Sequence, residues 1–275
     1  MKSSVNRENI PRAPKKRRLS PTKWNRWPVQ LQILASTAVA ISIIAAIITI
    51  MPDTAYTEKK MLSLVAHEGG HILGVLVQSG EVHNLTLRPD GSGEVHVVSK
   101  DQALSAAMGP LMPPLLAAVF FTLGALRLGT SFWLLALSLP LFWIGYAHAD
   151  EPSIKWALWA WAGFAFVFAV SGLPHTFRSA ALMVIAITLA LGTYDALPYL
   201  WVEHVPAHSA ASLTPAPLSD PDPSATRLSD VRIIADALAP NNITEVRHGL
   251  ITLMITFGLL AAAVIARFIY INRSY

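Results

Sequence analysis

The sequence predicts an all-α polytopic membrane protein of about six to seven transmembrane helices, with a small β-hairpin after the helix that carries an HExxH motif. Three observations lead there. Hydrophobic residues fill 53% of the 275 positions and charged residues only 14%, against about 25% charged in soluble domains. Seven apolar runs approach the length of about 20 residues that a helix needs to cross a bilayer. One short stretch alternates apolar and polar residues around a turn signal, the pattern of two paired strands.

The chain opens with residues 1–28, read as a basic cytoplasmic tail. Nine Lys or Arg fall within the first 26 positions against one acid, Glu8. Such a cluster also occurs in nucleic-acid arms, but its place directly before a long apolar run matches the positive-inside rule. No nucleic-acid partner is expected. A cleaved signal peptide fits poorly, because the basic region is too long and the apolar run exceeds an h-region of about 7–15 residues. The tail therefore predicts an integral protein of the plasma (inner) membrane with its N-terminus in the cytoplasm.

Residues 29–201 are predicted to form the membrane-embedded core. Its runs are Leu31–Met51, Lys60–Ser79, Ala103–Leu126, Thr130–Ala147, Ile154–Gly172 and Ser179–Trp201. Pro110, Pro113 and Pro114 interrupt the third and are expected to kink it. Trp133, Trp143, Trp156, Trp159 and Trp161 lie near proposed ends, where amphipathic rings favour the interface. Between the second and third runs, residues 81–98 alternate at Val82, Leu85, Leu87, Val95 and Val97 around PDGSG, which reads as a β-hairpin. Residues 202–248, with LTPAPLSDPDPSATR, read as an extramembrane Pro/Ser/Asp-rich loop, within which SDVRIIADALA has the pattern of a short amphipathic helix. Residues 249–275 read as a C-terminal transmembrane helix, centred on Gly249–Ile271. Seven spans would place Arg267 and Arg273 outside, against the charge rule, so one run is re-entrant or not a span.

The chemistry concentrates in AHEGGH, residues 66–71, inside the second run, expected as a helix over 60–79. The chain has no cysteine, so disulfides and thiolate metal sites are excluded and any metal must be held by His, Asp or Glu. Residues four apart share a helix face, so His67 and His71 can reach one ion. Two His plus a carboxylate is a catalytic zinc ligand set. Glu68, beside the first histidine, can take the proton of a water that such a metal acidifies, the HExxH logic of metal-assisted hydrolysis. Polar side chains also act as glue between membrane helices. An ionised carboxylate at mid-bilayer nevertheless costs about 2.5–3.5 kcal/mol on insertion scales, and packing alone gives no reason to cluster three polar groups. Gly69 and Gly70 cost helix propensity and are expected to admit another helix or a substrate backbone.

HEGGHILGVLVQSGEVHNLTLRPDGSG followed by SAAMGPLMPP resembles the M50 family of metallopeptidases, the site-2-protease-like intramembrane zinc proteases, and within it the peptidase M50B-like group. The likeness covers roughly residues 60–125 well and the remainder in hydropathy. It implies zinc as cofactor, His67 and His71 as ligands, Glu68 as general base, and a hairpin that receives substrate as an added strand, which pairs its main chain. Gly109 and Pro110 match the family's Gly-Pro step, and with Asn84 they are expected to contact substrate. The family often has Asn three residues after that Pro, where this chain has Pro113. Its third ligand is usually an Asp on a later helix in an NxxPxxxxDG-like motif, which is absent here. Asp150, at the end of the fourth run, stands in the expected order. Asp195 is its chief rival, because an acid inside an apolar run is a functional candidate by default. His148 and Glu151 follow.

The resemblance thus implies an endopeptidase that cleaves membrane-protein substrates in or near a transmembrane segment, working in the lipid bilayer through a metal-activated water. The alternative is an M50-like membrane scaffold or regulator without catalysis. His83 and His96 are expected as exposed strand residues, and His175, His204, His208 and His248 as loop residues without a role.

Overall fold

The computed structural model describes residues 28–50, 52–88, 92–149, 151–206 and 226–273. Most of the predicted tail, the hairpin tip at 89–91, Asp150 and the stretch 207–225 lie outside the described residues. Eight α-helices follow in order: α1 (Val29–Ile50), α2 (Pro52–Val77), α3 (Gln102–Leu126), α4 (Thr130–Ala147), α5 (Pro152–Val170), α6 (His175–Ala196), α7 (Asp230–Leu238) and α8 (Ile243–Arg273). Strands β1 (Glu81–Leu87) and β2 (Gly93–Val98) sit between α2 and α3, and β3 (His204–Pro206) pairs with β4 (Thr226–Leu228) before α7.

The protein is a mostly helical membrane-spanning chain with a small antiparallel hairpin. The expected six to seven spans are corrected to five: α3, α4, α5, α6 with its continuation to Trp201, and α8 are the described helices long and apolar enough to cross a membrane. The described apolar part of α1, Gln30–Ala46, is shorter. The missing count at α2 has a chemical cause, since His67, Glu68, His71 and Lys60 dilute the hydropathy of its apolar half.

Helix α3 is the centre of the packing and lies against α2, α6, α7 and α8, while α4 pairs with α5. It starts sharply because the Asp101 side chain accepts the Leu104 N–H at 3.0 Å, satisfying one of the donors that a helix start leaves free. It stops at Arg127, whose left-handed backbone lets its N–H reach back to Gly124. The three prolines lie within one continuous helix. Helix α6 is the most deeply buried of the five spans, with every residue from Ser179 to Ala186 in the interior.

The α2–α3 crossing is close because α2 presents small residues. A Cβ on Gly70 would run into the Met108 carbonyl of α3, and one on Gly74 would come within 2.9 Å of the Ser105 Cα. Small residues spaced four apart let two helix backbones approach in a membrane. Gly69, by contrast, faces open space. Gln78 then ties the end of α2 to the α3 start, donating to the Gly74 carbonyl at 2.8 Å and to the Ser105 hydroxyl at 3.1 Å. The hairpin pairs Leu85 with Val95 and Leu87 with Gly93, with an irregularity between Val82 and Asn84. Its buried face, Leu85, Leu87, Val95 and Val97, belongs to the common core, and both strands pack on α2.

Candidate metal centre

On α2, His67 and His71 occupy successive turns, as the i, i+4 spacing predicts. Their Nε2 atoms face each other at 3.1 Å. The carboxylate beside them is Asp230, the first residue of α7. Its Oδ2 lies 3.2 Å from His67 Nε2 and 3.5 Å from His71 Nε2. Among the described residues this is the one group of three His, Cys, Asp or Glu side chains that could hold a metal ion. Four ligands bound to zinc at about 2.0–2.1 Å stand about 3.3–3.4 Å apart along each edge of a tetrahedron. The three observed separations fit one face of it. His71 and Asp230 are buried and His67 is partly open, so the face is reached from the His67 side.

The supports are as specific as the ligands. His71 Nδ1 lies 2.8 Å from the Ser105 carbonyl. With the proton on Nδ1 the ring donates there, and Nε2 is left with its lone pair toward the cluster, the arrangement that fixes the tautomer of metal-binding histidines. The ring fits because α3 offers Gly109, where any Cβ would strike the His71 imidazole. Asp230 is set by the Ser229 N-cap, whose hydroxyl accepts the Arg232 N–H at 3.3 Å, and by the apolar face of α7, with Val231, Ile234 and Ala235 buried. Outside that face, Arg232 pairs with Asp236 at 2.9 Å and reaches Glu203 at 3.7 Å. Arg247 of α8 reaches the same Glu203 at 3.4 Å. Burial by itself would push the Asp230 carboxyl up. Without a metal, when the imidazoles are protonated, the His71 charge and then hydrogen bonds from both imidazoles outweigh it and hold the group below the usual carboxylate range.

Glu68 is buried, 3% exposed, and its Oε2 has no hydrogen-bond partner among the described residues. A buried carboxylate oxygen without a donor is costly, and an acceptor held beside two imidazoles and a carboxylate suits the proton of a water in the cluster. The hairpin closes over it. Gly93 opens β2 against the Glu68 carboxylate, and a Cβ there would overlap it. The next residue, Glu94, is buried and paired with Arg88 at 2.9 Å and His96 at 3.2 Å.

A family model described as Peptidase M50B-like matches residues 40–265. The chain belongs to the peptidase M50B-like family. The match covers most of the sequence, and its span includes both histidines, Glu68 and Asp230. Comparison with curated proteins and with solved structures returns no match.

The other expected site residues of this M50B-like chain stand as follows. Asp150 lies outside the described residues. Asp195 is an exposed residue of α6 and does not belong to the cluster. Gly109 packs on His71, and Pro110 lines a small pocket with His67, Pro113 and Tyr199. Asn84 is exposed on β1, and its amide turns onto its own strand, accepting from Leu85 N at 2.9 Å. His96 is half-buried against Glu94, while His83 is more open. Asp230 was not among the sequence candidates. Its signal is the pair Ser229–Asp230 at the head of an amphipathic pattern. An apolar face in a stretch otherwise rich in Pro, Ser and Asp must dock on something, and the acid at its start docks with it.

Proposed function

We propose that the protein is a zinc-dependent intramembrane endopeptidase that cleaves membrane-protein substrates in or beside a transmembrane segment. The observation that carries this reading is the convergence of His67, His71 and Asp230 at the spacing of a tetrahedral face, next to a Glu68 oxygen that has no hydrogen-bond partner among the described residues, in a chain of a peptidase family. His67, His71 and Asp230 would hold the metal. When bound, zinc acidifies water and polarises a carbonyl. Glu68 takes the proton from the attacking water and returns it to the leaving amine. The enclosing helices exclude bulk water, which strengthens every charge interaction at the site.

Two features support a substrate that lies in the bilayer. A cavity of about 760 Å³, lined almost wholly by apolar side chains, runs between α3, α6 and α8. It shares Thr193, Leu197 and Met254 with the small pocket at His67, so an apolar segment has a path from lipid toward the ligands. The hairpin edge beside Glu68 suits main-chain pairing with a segment that has unwound, since a helix hides its peptide bonds in its own hydrogen bonds. The reading places the protein in the plasma membrane with its N-terminus in the cytoplasm.

The test is zinc content per chain in detergent-purified protein. Wild type should carry about one zinc. The variants His67→Ala, His71→Ala and Asp230→Ala should lose it, and Asp150→Ala and Asp195→Ala should keep it. Glu68→Gln should keep zinc, and membranes containing it should lack new peptide N-termini that arise within apolar segments when wild type is present. A zinc-free wild type would favour the scaffold reading and refute this one.

A further inference from the structure

We propose that Arg127 and Arg178 form a site for the headgroup phosphate of an anionic phospholipid, at the end of the bundle away from the hairpin. The proposal is independent of the metal centre. Arg127 directly follows α3, which starts just after β2 and is long enough to cross a membrane, so the two arginines stand at the opposite end of that span. Arg127 Nη2 donates to the Thr176 hydroxyl of α6 at 3.0 Å. Arg178 Nη1 donates to the Ser131 hydroxyl of α4 at 2.7 Å. The two side chains thus cross between the α3–α4 turn and the start of α6, and both guanidinium groups lie at that corner. The join is tight, since a Cβ on Gly124 would come within 3.1 Å of the Ser179 carbonyl.

The corner carries positive charge without a counterion among the described residues. A guanidinium has five N–H donors, and each of these two is held by a neutral hydroxyl, with no carboxylate partner among the described residues. Arg178 Nε is buried and has no hydrogen-bond partner among them. A buried donor without an acceptor is costly, whereas an arginine that merely snorkels keeps its charged head in water. Two helix starts add to the field. Helices α4 and α6 begin at Gly129 and Pro174, neither of which caps with a side chain, so the free N–H groups of two first turns lie at the same corner. Arg127 also stands at a left-handed φ of 58°, where glycine is the ordinary residue. A long cation kept at such a position points to a use for its side chain. The occupant follows from the depth. Leu128, Phe132 and Phe177 are exposed around the arginines, and Phe132 packs edge-on to Trp133, an aromatic set suited to the membrane interface. The abundant anion at that level is a lipid phosphate, which the guanidinium fork matches in shape and charge. A lipid whose phosphate lacks its own ammonium group fits an uncancelled positive site better than a zwitterionic one.

The test titrates full-length protein in non-ionic detergent with short-chain phosphatidylglycerol and with phosphatidylcholine, read by native mass spectrometry. Wild type should hold one phosphatidylglycerol tightly and phosphatidylcholine more weakly. Arg127→Gly and Arg178→Gln should each weaken phosphatidylglycerol binding by about tenfold or more, the effect of losing a hydrogen bond to a charged group. Glycine suits the backbone of residue 127, so Arg127→Gly should melt no lower than wild type in the absence of lipid. Should it fold poorly, Arg178→Gln alone decides. Arg267→Gln, which removes an exposed arginine of α8, should leave binding unchanged. Wild-type affinity in Arg178→Gln, or an equal loss in Arg267→Gln, would overturn the site. Equal affinity for phosphatidylcholine would overturn its preference for an anionic lipid. Displacement of phosphatidylglycerol by millimolar inorganic phosphate would mark a site for free anions and overturn the lipid assignment.

Discussion

The glycine pair of HEGGH offers a test of the α2–α3 interface with an internal control. Replacing either glycine by alanine gives the same local benefit, up to about 1 kcal/mol of helix propensity. The surroundings differ. At Gly69 an added Cβ meets nothing within 4 Å. At Gly70 it meets the Met108 carbonyl and comes within 2.8 Å of the Met112 Cβ. The first obstacle is backbone in the middle of a helix, so the two helices must separate, and forcing an extra carbon into a packed interior costs about 1–3 kcal/mol. Gly69→Ala should therefore be neutral or more stable than wild type. Gly70→Ala should be less stable than Gly69→Ala by about 1–3 kcal/mol, a difference in which the propensity gain cancels and only the clash remains. Equilibrium unfolding of metal-stripped protein in mixed micelles, followed by circular dichroism, measures both. Equal stability of the two variants, or a more stable Gly70→Ala, would refute the close crossing.

Three further outcomes follow from the same geometry. Gly109→Ala puts a methyl group on the His71 ring, and it should weaken zinc binding at least tenfold by isothermal titration, because the ring must leave the Ser105 carbonyl. Gly93→Ala crowds the Glu68 carboxylate but no ligand, so it should keep stoichiometric zinc by metal analysis while lowering peptide cleavage. Removing zinc with a chelator should lower the melting temperature of wild type and leave that of Asp230→Ala nearly unmoved, since an ion stabilises only the protein that binds it.

Features set by near neighbours in the chain were legible in advance, and features set by distant ones were not. The i, i+4 spacing of His67 and His71 places both rings on one face of any helix, and the alternation at residues 81–98 marks a hairpin whatever it packs on. Asp230 became a candidate only in three dimensions. It lies 163 positions from His67, and local sequence shows only a helix start, Ser then Asp, followed by an apolar stripe. Hydropathy also misled where chemistry competed with lipid. It marks α8, which is nearly uninterrupted, and overcounts at the run Lys60–Ser79, where His67, Glu68 and His71 sit among leucines and valines. The closeness of Gly109 to His71 could be suspected from the Gly-Pro step but not assigned, because a glycine in a helix reports that something is near without saying what.

The distance along the chain between His67 and Asp230 also orders events in time. A nascent chain leaves the ribosome with its histidines long before its aspartate, and four further spans, α3 to α6, must enter the bilayer between them. Until residue 230 has been made and α7 has docked, the cluster of two imidazoles and a carboxylate does not exist. The protein can thus thread most of itself into the membrane before that cluster is complete.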